Sequence, residues 1–361
     1  MKKISILFVG LFMLAACSSD DDSGTGHSMA ITSFTFLATD NEALSDDVEA
    51  VIDEYWKTIT VKLAGGTDIR ALKPIINVSD KTEVFPETKA EIDFSHPVSY
   101  KVVSENDSTI YTVRLVIPYT KAEKEALIKL YRANPVNGLG WDIENDAVDN
   151  WRGVTTGIEG LVKLDLAGID VLPAAIGGLT RLEYLSIYDS GLETLPSEIG
   201  ELANLKELDI TRTNLTALPL EIGNLTNLLG VNINACKLST LPNSIGKLKH
   251  LKFLSLDRNT ISTLPNEIGE LSNLEHLYID NNVLTAFPPS IGELSNLRRL
   301  SASNNRLTSL PREIGNLDSL VALDLMSNQL SNIPEELCKL GIEELRLDNP
   351  LSCKNGPKLI Q

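Results

Sequence analysis

The side chains best equipped for covalent or metal chemistry are few in this 361-residue chain, and their spacing does not suit it. The four cysteines, Cys17, Cys236, Cys338 and Cys353, contain no C-x-x-C pair. The four histidines, His27, His96, His250 and His276, are scattered, with no H-E-x-x-H. A zinc site needs three or four such ligands held together, so neither a metal nor a cofactor is expected. There is no G-x-S-x-G and no phosphate-cradling glycine loop. Glu343 and Glu344 fall in a predicted short strand, where successive side chains point to opposite faces and cannot act as an acid/base pair. What remains is recognition chemistry. Phe253, His276 and Arg299 recur 23 residues apart, with Tyr278 two residues beyond His276. Aromatic rings and arginine are the groups that dominate binding hot spots.

The elements that must carry these side chains follow from an internal repeat. Pro173, Pro196, Pro219, Pro242, Pro265, Pro288, Pro311 and Pro334 are each 23 residues apart. Around them the unit reads L-x-x-L-x-L-x-x-N-x-L-x-x-L-P-x-x-I-G-x-L. In each unit the L-x-L segment predicts a short strand with leucines inward and the x residues outward. Stacked units then pair into a parallel concave sheet, while L-P-x-x-I-G-x-L returns along the convex side as a short helix or 3₁₀ turn. The position after the strand is Ser190, Thr213, Cys236, Asn259, Asn282, Asn305 and Asn328. An Asn there can satisfy backbone groups at the turn, and Ser, Thr or Cys does so less completely. Cys236 is accordingly expected to be a buried ladder residue. The outward residues on the concave side include Tyr184, Tyr188, Arg212, Phe253, Arg258, His276, Tyr278 and Arg299, which we take as the candidate partner-binding set, centred on Phe253, His276, Tyr278 and Arg299. The plainer alternative is that these are scattered surface residues on a scaffold.

This 23-residue unit resembles the leucine-rich repeat, and its LPxxIGxL half resembles the subclass seen in plant Ras-group and bacterial members. The resemblance covers 158–349 and implies an α/β solenoid that binds another macromolecule on its concave face.

Upstream, residues 30–119 alternate apolar and polar residues in short runs such as Ile31–Phe36, Thr58–Leu63 and Tyr111–Val116, separated by turn formers. Such spacing predicts an all-β immunoglobulin-like sandwich. The stretch resembles an Ig-like module of Bacteroidetes surface lipoproteins, which implies a spacer. Residues 120–157 read as a helical cap: Thr120 and Glu123 fit a capping box, Asn134-Pro135 is a stop signal, and Trp141 and Trp151 supply apolar cover for the first coil. Residues 350–361 form a tail, and Cys338 and Cys353 flank the final turn as a possible disulfide.

Residues 1–16 carry two lysines and an apolar run too short to span a bilayer, which reads as a cleavable leader. Leu14-Ala15-Ala16-Cys17 resembles a lipobox, which implies acylation of Cys17 and a membrane anchor. Ser18-Ser19-Asp20-Asp21-Asp22 resembles a surface-export signal on a flexible acidic tether, 17–29. An outer-membrane, surface-exposed location is expected, with the anchor as the membrane contact. The net charge of −17 argues against nucleic acid as a partner. The expected ligand is a protein of host or bacterial surface. The alternative is a glycan, or service as an accessory subunit of a nutrient-uptake complex.

Overall fold

The computed structural model describes residues 29–348 apart from 137, 145–146 and 158–159; the leader, Cys17, most of the tether and the 350–361 tail lie outside the described residues. Eight strands come first: β1 (Ile31–Phe36), β2 (Val48–Glu49), β3 (Val51–Asp53), β4 (Thr58–Lys62), β5 (Pro74–Val78), β6 (Glu83–Phe85), β7 (Val98–Val103) and β8 (Ser108–Val116). They form a three-stranded sheet, β2-β1-β5, and a five-stranded sheet, β3-β4-β8-β7-β6. All neighbours pair antiparallel except β4 with β8. The alternation seen in the sequence turns Phe34 and Phe36 of the first sheet onto Tyr100 and Phe94, with edge-on ring pairs 5.4–5.5 Å apart. Perpendicular rings fill such a core without face-to-face repulsion.

A second, separate core begins at Tyr119 and runs to Leu345. Helix α1 (Lys121–Ala133) opens it with the expected capping box, Thr120 Oγ1 accepting from the Glu123 amide and Glu123 Oε2 accepting from the Thr120 amide. Glu123 is itself buried, and its other oxygen accepts the Leu161 amide of the first coil at 3.1 Å. Trp141 and Trp151 stack 4.9 Å apart over the end of the solenoid. A short strand, β9 (Val154–Thr156), pairs antiparallel with β10 (Leu161–Ala167), a pairing the sequence pattern does not announce.

From β10 the chain winds regularly through β11 (Tyr184–Tyr188), β12 (Glu207–Thr211), β13 (Gly230–Asn234), β14 (Phe253–Ser255), β15 (His276–Tyr278), β16 (Arg299–Ser301), β17 (Ala322–Asp324) and β18 (Glu344–Arg346), all parallel and in sequence order. The end coils depart from the period: the first step is 21 residues, Lys163 opposite Tyr184, and the final step 22, Ala322 opposite Glu344. On the convex side every repeat makes a 3₁₀ turn, with Pro173, Pro196, Pro219, Pro242, Pro265, Pro288 and Pro311 as the preceding cap residue. The glycine of each Ile-Gly pair has a packing reason. A methyl group at Gly269 would overlap the Ser290 carbonyl oxygen, and one at Gly292 that of Glu313. Successive turns therefore touch backbone to backbone, which only glycine allows.

The ladder behaves as its chemistry predicts. Asn282 Nδ2 donates to the Leu256 and Ile279 carbonyls at 2.9 and 3.3 Å, and its Oδ1 accepts from the Ile261 amide at 2.9 Å. Asn259, Asn305 and Asn328 repeat that pattern. Cys236 is a buried free thiol in the same column, 3.1 Å from Thr213 Oγ1, with only long contacts to carbonyls. Cys338 is disulfide-bonded; Cys353, its expected partner, lies outside the described residues. No helix among the described residues is long and apolar enough to cross a membrane.

Candidate recognition surface

Strand pairing sets the outward residues in lanes. One lane runs Lys163, Tyr184, Glu207, Gly230, Phe253, His276, Arg299, Ala322, Glu344. The next runs Asp165, Ser186, Asp209, Asn232, Ser255, Tyr278, Ser301, Asp324, Arg346. Phe253, His276 and Tyr278 meet where the lanes adjoin. The Phe253 ring lies 5.5 Å from Tyr278 and 6.4 Å from His276, whose plane is within 8° of that of Tyr278. Phe253 is 37% exposed although three strands of buried leucines lie beneath this part of the sheet. His276 Nδ1 is buried without a hydrogen-bond partner.

Arg299 adjoins His276 on the next strand and reaches across the small Ala322 to Glu344 at 3.7 Å. That gap opens a hollow of about 190 Å³ beside the rings, walled by Tyr278, Asp280, Arg299, Asp324 and Arg346. An aromatic rim beside paired cations and carboxylates suits a ligand with one apolar edge and several polar groups.

The remaining candidates stand elsewhere. Tyr184 is three strands from Phe253, roughly 14 Å by strand spacing, and Lys163 Nζ sits 4.4 Å over its ring. Tyr188 borders a separate hollow with Arg152, Gly153 and Asp165 near the cap. Arg212 and Arg258 are not on the sheet face. Both have left-handed backbone, φ 52° and 55°, at the turn that leaves the sheet, so they project at its rim. Every coil from Asp189 to Ser327 turns this way at the residue before the ladder, because the chain must reverse there in one step. Arg212 is also committed to Asp189 of the preceding coil.

Asp257 and Asp280, two residues beyond the ends of β14 and β15, have a structural task. Asn234 Oδ1 accepts the Asp257 amide, Asp257 Oδ1 the Asp280 amide and Asp280 Oδ1 the Ser303 amide, at 2.6–2.7 Å. This second ladder shortens the strands from β14 onward by substituting side-chain acceptors for backbone ones. The 23-residue spacing of acceptor side chains is its only sequence trace. Burial raises the pKa of Asp257, and likewise that of Asp209, where the neighbouring Asn232 partly offsets it. Glu207 is raised by burial and then by the Asp209 charge. Folded pKa values above the unfolded ones mean that ionisation at neutral pH opposes folding, and stability returns as pH falls through the raised range. Asp209→Asn is therefore expected to melt higher than the parent at pH 7.5, with the gap closing as pH is lowered. A gap that is constant with pH in thermal melts would refute the assignment.

The family described as leucine-rich repeat region matches residues 164–249 and 237–348, which together make up just over half of the chain. The chain belongs to that family. A model described as SGBP, N-terminal, the abbreviation of surface glycan-binding protein, matches residues 31–115. No curated protein matches the sequence. Among solved structures, a plant ice-binding protein is 24% identical over 65% of this chain and 88% of its own, with a TM-score of 0.53, and shares the leucine-rich-repeat fold. A leucine-rich-repeat protein of Leptospira interrogans is 39% identical over 52% of this chain, with a TM-score of 0.49; the chain spans about half, 49%, of that protein's length. The leucine-rich-repeat ectodomain of a plant membrane receptor kinase from Arabidopsis thaliana, solved with Casparian strip integrity factor 2, is 28% identical over 61% of this chain and 32% of its own, with a TM-score of 0.48. Both families that match are binding modules. Among the described residues no group of His, Cys, Asp and Glu could hold a metal ion.

Proposed function

We propose that this is a lipid-anchored recognition protein of the bacterial surface that binds a protein partner on the concave face of its leucine-rich-repeat solenoid. In this reading Cys17 carries the anchor, 17–29 is the tether, 30–119 a spacer, 120–157 the cap and 158–349 the binding unit. The observation that carries it is the contiguous cluster of Phe253, His276 and Tyr278 with Arg299 on the sheet face, in which Phe253 and Arg299 are exposed and His276 and Tyr278 half-buried. Nothing within the solenoid packs over these rings, so the apolar area they expose is available to a partner.

The test is capture from bacterial-surface and host mucosal extracts by the intact protein and by the double variant Phe253→Ala, Tyr278→Ala, with equal melting temperatures as the check on folding. Truncating two hot-spot rings, at about 2 kcal/mol each, should weaken binding of the captured partner on the order of 1000-fold. A partner retained by the folded variant would remove the concave face from the proposal.

A second reading is a glycan ligand, favoured by the match of residues 31–115 to the SGBP N-terminal family. Rings beside Asp280, Asp324 and Arg346 offer stacking and hydroxyl hydrogen bonds to a sugar. Glycan-array binding abolished by the same double variant would select it.

A further inference from the structure

The hairpin between β3 and β4 exposes two large aromatic side chains of the N-terminal sandwich, Tyr55 at 84% and Trp56 at 72%. The tip is held firmly. The Trp56 amide donates to Asp53 Oδ1 at 3.0 Å, the Lys57 ammonium donates to Glu54 Oε2 at 2.6 Å, and the Thr112 amide donates to the Lys57 carbonyl at 2.9 Å. The Tyr111 hydroxyl ties Glu54 and Lys57 to the body of the sandwich at 2.7 and 3.1 Å. The rings meet edge to face, 4.9 Å apart at 89°, so neither covers the other's outer surface. A rigid tip that holds an indole and a phenol in water has no structural benefit of its own.

Its position in the fold indicates the occupant. β4 and β8 run parallel, both starting at the hairpin end and finishing where Tyr119 leads into α1 and the solenoid. At the hairpin end the chain also enters: the Ala30 amide donates to Ser79 Oγ at 3.1 Å, on the turn that leads into β6, whose Glu83 lies opposite Val103 beside the start of β8. Tyr55 and Trp56 therefore face the side from which the N-terminal segment arrives, away from the solenoid. Cys17 precedes Met29 by twelve residues, a reach of at most about 40 Å. Ile110, 57% exposed, lies on the β8 strand near the same end. The neighbouring turns carry Asp80 and Lys81 on one and Glu105 and Asp107 on the other, an acidic rather than a basic balance, and the acidic loop of Glu42, Asp46 and Asp47 lies at the opposite end.

We propose that Tyr55 and Trp56 form a membrane-contacting tip that rests at the headgroup level of a zwitterionic bilayer and stands the sandwich upright on the surface that anchors it. Amphipathic rings favour that depth, where one edge is apolar and the other hydrated. The absence of a basic patch at this end makes neutral headgroups, rather than anionic ones, the matching surface. The inference rests on the reading of Cys17 as a lipid anchor.

Trp56 reports on itself, because the other two tryptophans, Trp141 and Trp151, are 3% and 2% exposed. The acylated full-length protein is mixed with phosphatidylcholine vesicles, plain or brominated near the headgroup end of one acyl chain. Expected are flotation with the vesicles, a blue shift of tryptophan emission on plain vesicles, loss of most of the Trp56 contribution on brominated ones, and neither change in Trp56→Phe. Flotation without quenching overturns the tip and leaves the anchor standing. Failure to float overturns both. A Cys17→Ala chain that floats and quenches like the parent overturns the anchor and keeps the tip. Emission that responds to soluble neutral glycans and not to vesicles overturns the tip in favour of a sugar site.

Discussion

Replacing Asn134 with alanine is expected to lower stability by about 3–4 kcal/mol, on the order of 10 °C in melting temperature. Asn134 is buried at the end of α1 and spends all four of its hydrogen-bonding positions. Its Nδ2 donates to the Leu130 carbonyl at 2.9 Å and to the Val171 carbonyl at 2.8 Å. Its Oδ1 accepts the Asp170 and Val171 amides at 2.8 and 2.9 Å. The side chain thus does for the first turn of the solenoid what the ladder asparagines do for later ones, from a helix outside the repeat. Alanine would leave these backbone groups without partners in a space too small for water to replace the amide fully. Asn134→Asp keeps the acceptor but sets a buried carboxylate oxygen against the Leu130 and Val171 carbonyl oxygens, so at neutral pH it should cost at least as much as alanine. A melting temperature of Asn134→Ala within about 2 °C of the parent would show that solvent reaches these groups.

Asn282→Ala is expected to cost a similar amount, about 3–4 kcal/mol, and to act in a different place. It leaves the Ile261 amide without an acceptor and removes one of the two ladder donors from the Leu256 and Ile279 carbonyls, which keep Asn259 and Asn305, all within the solenoid core. In a stacked array each coil is stabilised mainly by its neighbours. A defect at mid-length should therefore weaken the coupling between two halves, whereas a defect at the cap frays one end. Hydrogen exchange separates the two cases. Asn282→Ala should speed exchange at Leu256–Leu284 first, Asn134→Ala at Leu161–Leu172. Uniform acceleration in both would mean that the solenoid unfolds as a single unit.

How much of this was legible beforehand depended on whether the cause was local or repeated. The leucine lanes, the prolines at each convex turn and the asparagine column follow from period alone, since from Tyr184 to Ala322 each residue's neighbour across the sheet is 23 positions away. Phe253, His276 and Arg299 were placed side by side by the same arithmetic. Arg212 and Arg258 fell outside the face because a left-handed turn, invisible to a lane count, intervenes. The carboxylates of Asp257 and Asp280 serve the backbone of the next coil, a task that their type and spacing alone do not reveal. Asn134 was readable as a helix stop but not as a stitch to the first coil, which depends on packing between distant segments. Trp56 gave no periodic signal, and its isolation at a hairpin tip is apparent only once β3, β4 and Tyr111 are assembled.

The register of the sheet has a consequence for how such a surface can change. From Tyr184 to Ala322 every side chain in a lane is separated from its lateral neighbour by one whole period, and the inward leucines and convex glycines keep the same period. An in-frame duplication or loss of one period would leave the interior unaltered. It would only slide the patch of rings sideways relative to the cap, or widen the face by one strand spacing, about 4.8 Å. The chain is in that sense a linear script for a two-dimensional grid. Rows can be inserted, deleted or overwritten at the outward positions with little effect on the interior that carries them.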